Sequence, residues 1–153
     1  MLGSAPSLAL AARPAGAGAD ALKLQTYTAD TITLRSDRED FRLQSGPWAA
    51  HRTLWDLYAE AHTPWEWHDP IFREAQRLGM EVFSSPFDES AVDLLESLGS
   101  VAYKVASPEV NHIPLLRRIA RTGKPVIVSS GLARLEDLAL AVQTLRDHGA
   151  GDI

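Results

Sequence analysis

Four short apolar segments, separated by stretches of helical period, constrain this chain more than any other feature. They are Ala21–Tyr27 (ALKLQTY), Glu81–Phe87 (EVFSSPF), Val101–Ser107 (VAYKVAS) and Pro125–Gly131 (PVIVSSG). Strands that alternate with helices are joined by crossovers and pair in parallel, since a tight hairpin leaves no room for the helix. Each segment also ends in polar residues: Lys23 and Gln25, Ser84 and Ser85, Lys104 and Ser107, Ser129 and Ser130. Parallel α/β folds bind ligands at the carboxyl ends of their strands, so this recurrence marks a site. Four such units make either a small open sheet or part of a (β/α)8 barrel, for which about 250 residues is typical. The 153 residues present are enough for one core.

The helices are announced by caps and stops. Thr63-Pro64-Trp65-Glu66 reads as a capping box with proline at the first helical position. The helix it opens carries Ile71, Phe72, Ala75 and Leu78 on one face and stops at Gly79. Before it, a helix from Thr53 has Leu54, Leu57, Tyr58 and Ala61 as its stripe. Asp88 is expected to cap a helix over Glu89–Leu98, and Asn111 one that runs to Arg121. Leu135, Leu138, Val142 and Leu145 form the stripe of the last helix. Thr28–Pro47 has no clear period and is expected to be a long loop, of the kind that carries function in compact domains.

Within the strands, Lys23 and Lys104 stand out, because an unpaired ammonium is costly to bury. Either both project to one rim and neutralise a phosphate or carboxylate, or each is satisfied by a neighbouring acid or reaches out to water. Ser85, Ser107 and Ser129 have hydroxyls suited to phosphate oxygens and are also ordinary turn formers. Glu109 follows the third strand at the same rim, placed either as a proton donor and acceptor or as a solvated loop carboxylate. The tryptophans Trp65 and Trp67 read as packing residues. His62 and His68 lack a metal-ligand spacing, and no Gly-rich phosphate loop or HExxH motif occurs.

Composition removes several classes. A net charge of -5 gives no broad basic surface for nucleic acid, so an anionic ligand needs a local cluster of cations. With no cysteine there is no thiolate nucleophile and no zinc-thiolate site. The Ala-rich start lacks the basic flank of a secretion signal and is interrupted by Pro14, which favours a cytoplasmic setting.

Read together, these residues resemble a known family. Gly18-Ala-Asp-Ala-Leu-Lys-Leu-Gln-Thr-Tyr27 is similar to the second-strand signature of the sialic acid synthases. Phe83-Ser-Ser-Pro-Phe-Asp88, Tyr103-Lys-Val-Ala-Ser107 followed by Glu109, and Lys124-Pro-Val-Ile-Val-Ser-Ser-Gly131 match later motifs in the family's order. His62-Thr-Pro-Trp-Glu-Trp-His68 resembles the pseudaminic acid branch in particular. The resemblance implies a (β/α)8 TIM barrel, of which residues 18–153 would form about strands two to five. It also implies a transferase of nonulosonic acid biosynthesis that condenses phosphoenolpyruvate with an acetamido sugar and releases phosphate. A divalent metal, Mn or Mg, would polarise the sugar aldehyde. Carried over by motif, Lys23, Lys104, Ser85, Ser107 and Ser129 would hold phosphoenolpyruvate. Gln25 would lie near the sugar and the metal, and Glu109 would be the acid/base group.

The pattern also departs from the family. Its first-strand glutamate motif is missing, and Met1–Ala17 would make a poor first helix because of Pro14 and two nearby glycines. The family's metal-binding histidines and its terminal antifreeze-like domain, which completes a partner's site in a homodimer, have no counterpart before Ile153. An isolated chain of this kind is therefore expected to be inactive and poorly stable, with open sheet edges. Arg134 stands at an expected helix start where a capping residue would be better by about 1 kcal/mol.

Overall fold

The computed structural model describes residues 5–44, 47–48 and 51–153. It contains four strands, β1 (Ala21–Thr26), β2 (Glu81–Pro86), β3 (Tyr103–Val105) and β4 (Val126–Val128). Among the described residues seven α-helices accompany them: α1 (Ala5–Gly16), α2 (Ala29–Ile32), α3 (Leu54–Ala61), α4 (Trp65–Arg77), α5 (Glu89–Ser97), α6 (Ile113–Ala120) and α7 (Leu135–Asp147). The strands form one parallel sheet in the order β1-β2-β3-β4.

That sequential order decides the architecture. Right-handed crossovers that always step to the same side place every covering helix on one face of the sheet. The burial pattern agrees: Leu24 and Thr26, Val82 and Ser84, Tyr103 and Val105 are buried, whereas Lys23, Gln25 and Ile127 are exposed. An α/β sheet with helices on one face only is an arc of a barrel, and the chain is a partial (β/α)8 TIM barrel. Ile71, Phe72 and Ala75 of α4, Val92 and Leu95 of α5, Leu115, Leu116 and Ile119 of α6, and Ala141 and Leu145 of α7 fill the layer between sheet and helices. Each large aliphatic or aromatic side chain taken from water there contributes roughly 1.5–3 kcal/mol.

Several expectations hold. Asp88 caps α5, accepting from the backbone N–H groups of Ser90 and Ala91. Thr53 caps α3 in a reciprocal box with Asp56. Gly79 and Gly99 end their helices at φ values of 79° and 76°, where a side chain would be strained.

Others need correction. The poor first helix is in fact formed: α1 packs along α4 with Ala11 fully buried, and small residues at the contact allow a close approach that outweighs weak propensity. Pro64, not Thr63, is the N-cap of α4; its extended backbone moves the threonine outside the helix. His112, not Asn111, precedes α6, because Pro114 fits the first turn and fixes its start. On α7 the buried side starts a turn later than expected, at Leu138, and Leu135 is 78% exposed. Ala61 of α3 is likewise exposed. At α7 no side-chain acceptor caps the helix from Arg134, and the Asp137 carboxylate accepts its backbone N–H at 3.0 Å. The segment 28–47 contains α2 and a short 3-10 turn, Glu39–Phe41, with Arg42 bridging antiparallel to Thr53. No helix among the described residues is long and apolar enough to cross a membrane.

Candidate functional site

Strand register gathers the polar residues onto the uncovered face. Lys23 pairs with Phe83, Gln25 with Ser85, Ser84 with Tyr103, and Lys104 with Ile127. Since side chains alternate along a strand, Lys23, Gln25, Ser85, Lys104 and Ile127 share one side, and Ser129, two residues past Ile127, joins them. Lys104 Nζ donates to Ser129 Oγ at 2.6 Å, and the Ser129 N–H extends the ladder to the Val105 carbonyl at 3.1 Å.

The electrostatics of this face are unbalanced. Among the described residues neither Lys23 nor Lys104 forms an ion pair. The Lys23 ammonium is pushed below its ordinary pKa, first by desolvation and then by the charge of Lys104. Ser85 is 1% exposed and its Oγ has no hydrogen-bond partner among the described residues. A buried hydroxyl on the same sheet face as two uncompensated cations is an arrangement that an anion completes.

Glu109 ends a 3-10 turn, Ser107–Glu109, directly after β3. Its Oε2 is buried without a partner among the described residues, and its pKa is raised by burial, an effect only partly offset by its own backbone N–H and by Lys104. It shares with Gln25 a cleft of about 330 Å³ walled by Tyr27, Ile32, Tyr58, Phe87, Ala106 and Pro108. Tyr27 packs edge-on against both Tyr58 and Phe87, with ring centroids 5.7 and 5.3 Å away. Two neighbouring regions result: a cationic one on the sheet face, and an aromatic one floored by an amide and a carboxyl group.

Ser107 is placed differently from the other expected site residues. Its Oγ accepts the Leu132 N–H at 2.6 Å, pinning the loop between β4 and α7, and it lines a separate cleft of about 90 Å³. A larger polar cleft, about 420 Å³, lies among Arg35, Asp37, Arg52 and Asp56, where cations and carboxylates balance. No group of three or more His, Cys, Asp or Glu side chains converges as a metal site among the described residues, so the residues present do not fit the divalent ion that the resemblance implies.

Sequence reasoning missed the aromatic wall and a buried polar cluster. Tyr27 and Phe87 each stand one residue past a strand end, a position that was itself the signal. Tyr58 was assigned to a packing stripe, and its role depends on how α3 folds back over the rim. On the helix side of the sheet, His68, Thr26 and Ser84 are fully buried, and Thr26 is hydrogen-bonded to both of the others.

The chain matches the NeuB family model over residues 10–153. It is 45% identical over 137 residues to the pseudaminic acid synthase of Campylobacter jejuni, an overlap covering 90% of this chain and 40% of that protein. With the pseudaminic acid synthase of Helicobacter pylori it shares 44% identity over 136 residues, 89% of this chain and 40% of the other. The chain thus spans about 40% of the length of these relatives. Among solved structures, the N-acetylneuraminic acid (sialic acid) synthetase of Leptospira borgpetersenii in complex with citrate superposes with a TM-score of 0.78. That likeness covers 96% of this chain and 46% of the other at 22% identity, and it bears on the fold.

Proposed function

The chain belongs to the NeuB family, and from that membership we propose that it forms part of a pseudaminic acid synthase. In this reading phosphoenolpyruvate is condensed with 2,4-diacetamido-2,4,6-trideoxy-altrose, giving pseudaminic acid and phosphate for surface glycans. Identity of 44–45% to two enzymes of that name supports the sugar assignment over N-acetylneuraminate or legionaminate synthesis.

One observation carries the chemistry: Lys23 and Lys104, from different strands, project from the same face as the Ser85 hydroxyl, and all three lack partners to satisfy them among the described residues except the Lys104–Ser129 hydrogen bond. Phosphoenolpyruvate brings a phosphate and a carboxylate to that face. Lys104 and Ser129 already lie in hydrogen-bond contact and act as a pair; Lys23 and Ser85 supply the remaining charge and donor. As the carbon–oxygen bond breaks, negative charge grows on the departing phosphate, and fixed ammonium groups stabilise it without reorganising. Ser107 keeps its hydroxyl proton free for donation while its oxygen holds the following loop.

Gln25 and Glu109 face the sugar in the aromatic cleft. Burial keeps a protonated fraction on Glu109 at higher pH than an ordinary carboxyl would have, which suits a group that passes a proton to and from a sugar oxygen. A divalent ion, Mn or Mg in this family, would supply Lewis acidity toward the aldehyde, and the described residues alone would not hold it. The reading places the protein in the cytoplasm, and it carries a homodimer in which an antifreeze-like domain completes the partner's site.

Calorimetric titration with phosphoenolpyruvate tests the core of this reading. The protein should bind it, and Lys23→Ala and Lys104→Ala should each weaken binding about tenfold or more. Absence of binding, or binding that survives both substitutions, would overturn the assignment and favour a non-catalytic remnant. Where binding holds, mass spectrometry of products from the altrose derivative and from N-acetylmannosamine decides the sugar.

A further inference from the structure

Behind the site, on the helix side of the sheet, three buried side chains form a chain of hydrogen bonds whose direction can be worked out. His68 Nδ1 lies 3.2 Å from the Pro64 carbonyl oxygen, which can only accept, so Nδ1 carries a proton. In the neutral ring Nε2 is then a lone pair, and the Thr26 hydroxyl, 2.9 Å away, must donate to it. With its proton so committed, Thr26 Oγ1 accepts from Ser84 Oγ at 2.7 Å. The order is Ser84 to Thr26 to His68. It links the start of α4 to the carboxyl ends of β1 and β2.

Thr26 is the residue after Gln25, and Ser84 the residue before Ser85. Within a strand the orientation of one residue dictates that of the next, because adjacent side chains leave the same stretch of backbone on opposite faces. We propose that His68 is a positioning residue, whose neutral imidazole locks the Thr26 and Ser84 hydroxyls and thereby sets the strand ends that present Gln25 and Ser85 to the site. Protonation of His68 reverses the chain. Nε2–H then donates to Thr26, the Thr26 hydroxyl turns toward Ser84, and the Ser84 proton must find another acceptor.

The surroundings favour the neutral form. Burial is the first cause lowering the His68 pKa, and it outweighs the carbonyls of Pro64 and Trp65 and the charge of Glu66 on the same helix. The helix-facing residues of β1 are Leu22, Leu24 and Thr26, and those of β2 are Val82, Ser84 and Pro86, none of them ionisable. The sole ionisable residue of α1, the helix packed on α4, is the exposed Arg13. A histidine whose folded pKa lies below the unfolded value of 6.5 gives stability that is present above 6.5 and lost as pH falls through the folded value.

Two-dimensional NMR on the whole chain tests the proposal. At pH 7 the His68 imidazole should be the neutral Nδ1–H tautomer, and it should titrate below 6.5. The backbone amides of Gln25 and Ser85 should shift with the same midpoint. Thr26→Val keeps the shape and removes the hydroxyl, so it should uncouple those amides and weaken phosphoenolpyruvate binding about five- to tenfold. Thr26→Ser, which keeps the hydroxyl, should preserve both even if it melts earlier. Amides that ignore the His68 titration, or Val and Ser variants that behave alike, would overturn it. The affinity measurement rests on the phosphoenolpyruvate reading and the amide measurement does not. A wild type that fails to bind the ligand yet shows coupled amides would sink the functional reading alone.

Discussion

Glu109 shows at the level of one residue how a site can oppose stability. Its carboxyl is half-buried, has one oxygen without a partner, and has its pKa raised above the ordinary 4.5 by desolvation. A raised carboxyl pKa means that the folded state holds the proton more tightly than the unfolded one. Stability is therefore full below about 4.5 and falls as pH rises through the folded value. Glu109→Gln should thus raise the melting temperature at pH 7 by about 2–4 °C, an advantage that fades at pH 4, where the native side chain is itself neutral. Thermal melts at both pH values check this; an equal gain at pH 4 would point to packing instead of charge. Glu109 was visible in the sequence by its place after a strand, as were Lys23, Lys104 and Ser85. The opposite roles of Ser84 and Ser85 were also readable, since neighbours in a strand face opposite sides. His68 was not, because its partner Thr26 lies 42 residues away in the chain, and Thr26 in turn meets Ser84 across 58 residues.

At the level of elements, strand positions and helix period were legible because both follow from local apolar spacing, whereas the order of the strands in the sheet came only with the fold. Helix starts were harder. A cap is settled by which backbone N–H groups find an acceptor, and proline changes that by one residue, as at Pro64 and Pro114. Where the cap is a true acceptor, its energetic contribution is testable. Asp88 takes two N–H groups at the start of α5, and Ala91, Val92 and Leu95 of that helix are fully buried. Asp88→Ala should cost about 1 kcal/mol in denaturant unfolding with no change in slope, and Asp88→Asn much less. The formation of α1 could not be read from propensity. Its stability comes from Ala11 and its neighbours against α4, residues more than fifty positions away.

At the scale of the whole molecule, one-sided helix cover leaves a sheet face on which the candidate residues Lys23 and Gln25 are exposed, and the arc continues past β4. The Gly151 N–H donates to the Lys124 carbonyl at 3.1 Å, and the Val126 N–H donates to the Asp152 carbonyl at 2.8 Å, so residues 151 and 152 lie along the outer edge of β4. This docking demands glycine for a steric reason. A Cβ at Gly151 would stand 2.9 Å from the Gly123 oxygen and 3.1 Å from the Lys124 carbon and the Pro125 nitrogen, all backbone atoms that cannot turn aside. Gly151→Ala must therefore push the segment away and leave the Val126 N–H without its acceptor. Val126 lies at the buried base of β4, and Ser129 at the other end of the same strand meets Lys104. In hydrogen exchange the Val126 amide should lose protection by about tenfold or more in Gly151→Ala, with the amides of β1 unchanged. Unchanged protection at Val126 would mean that the edge is held by side-chain packing alone; a loss spread evenly over all four strands would mean that the terminal segment supports the entire sheet instead of one edge.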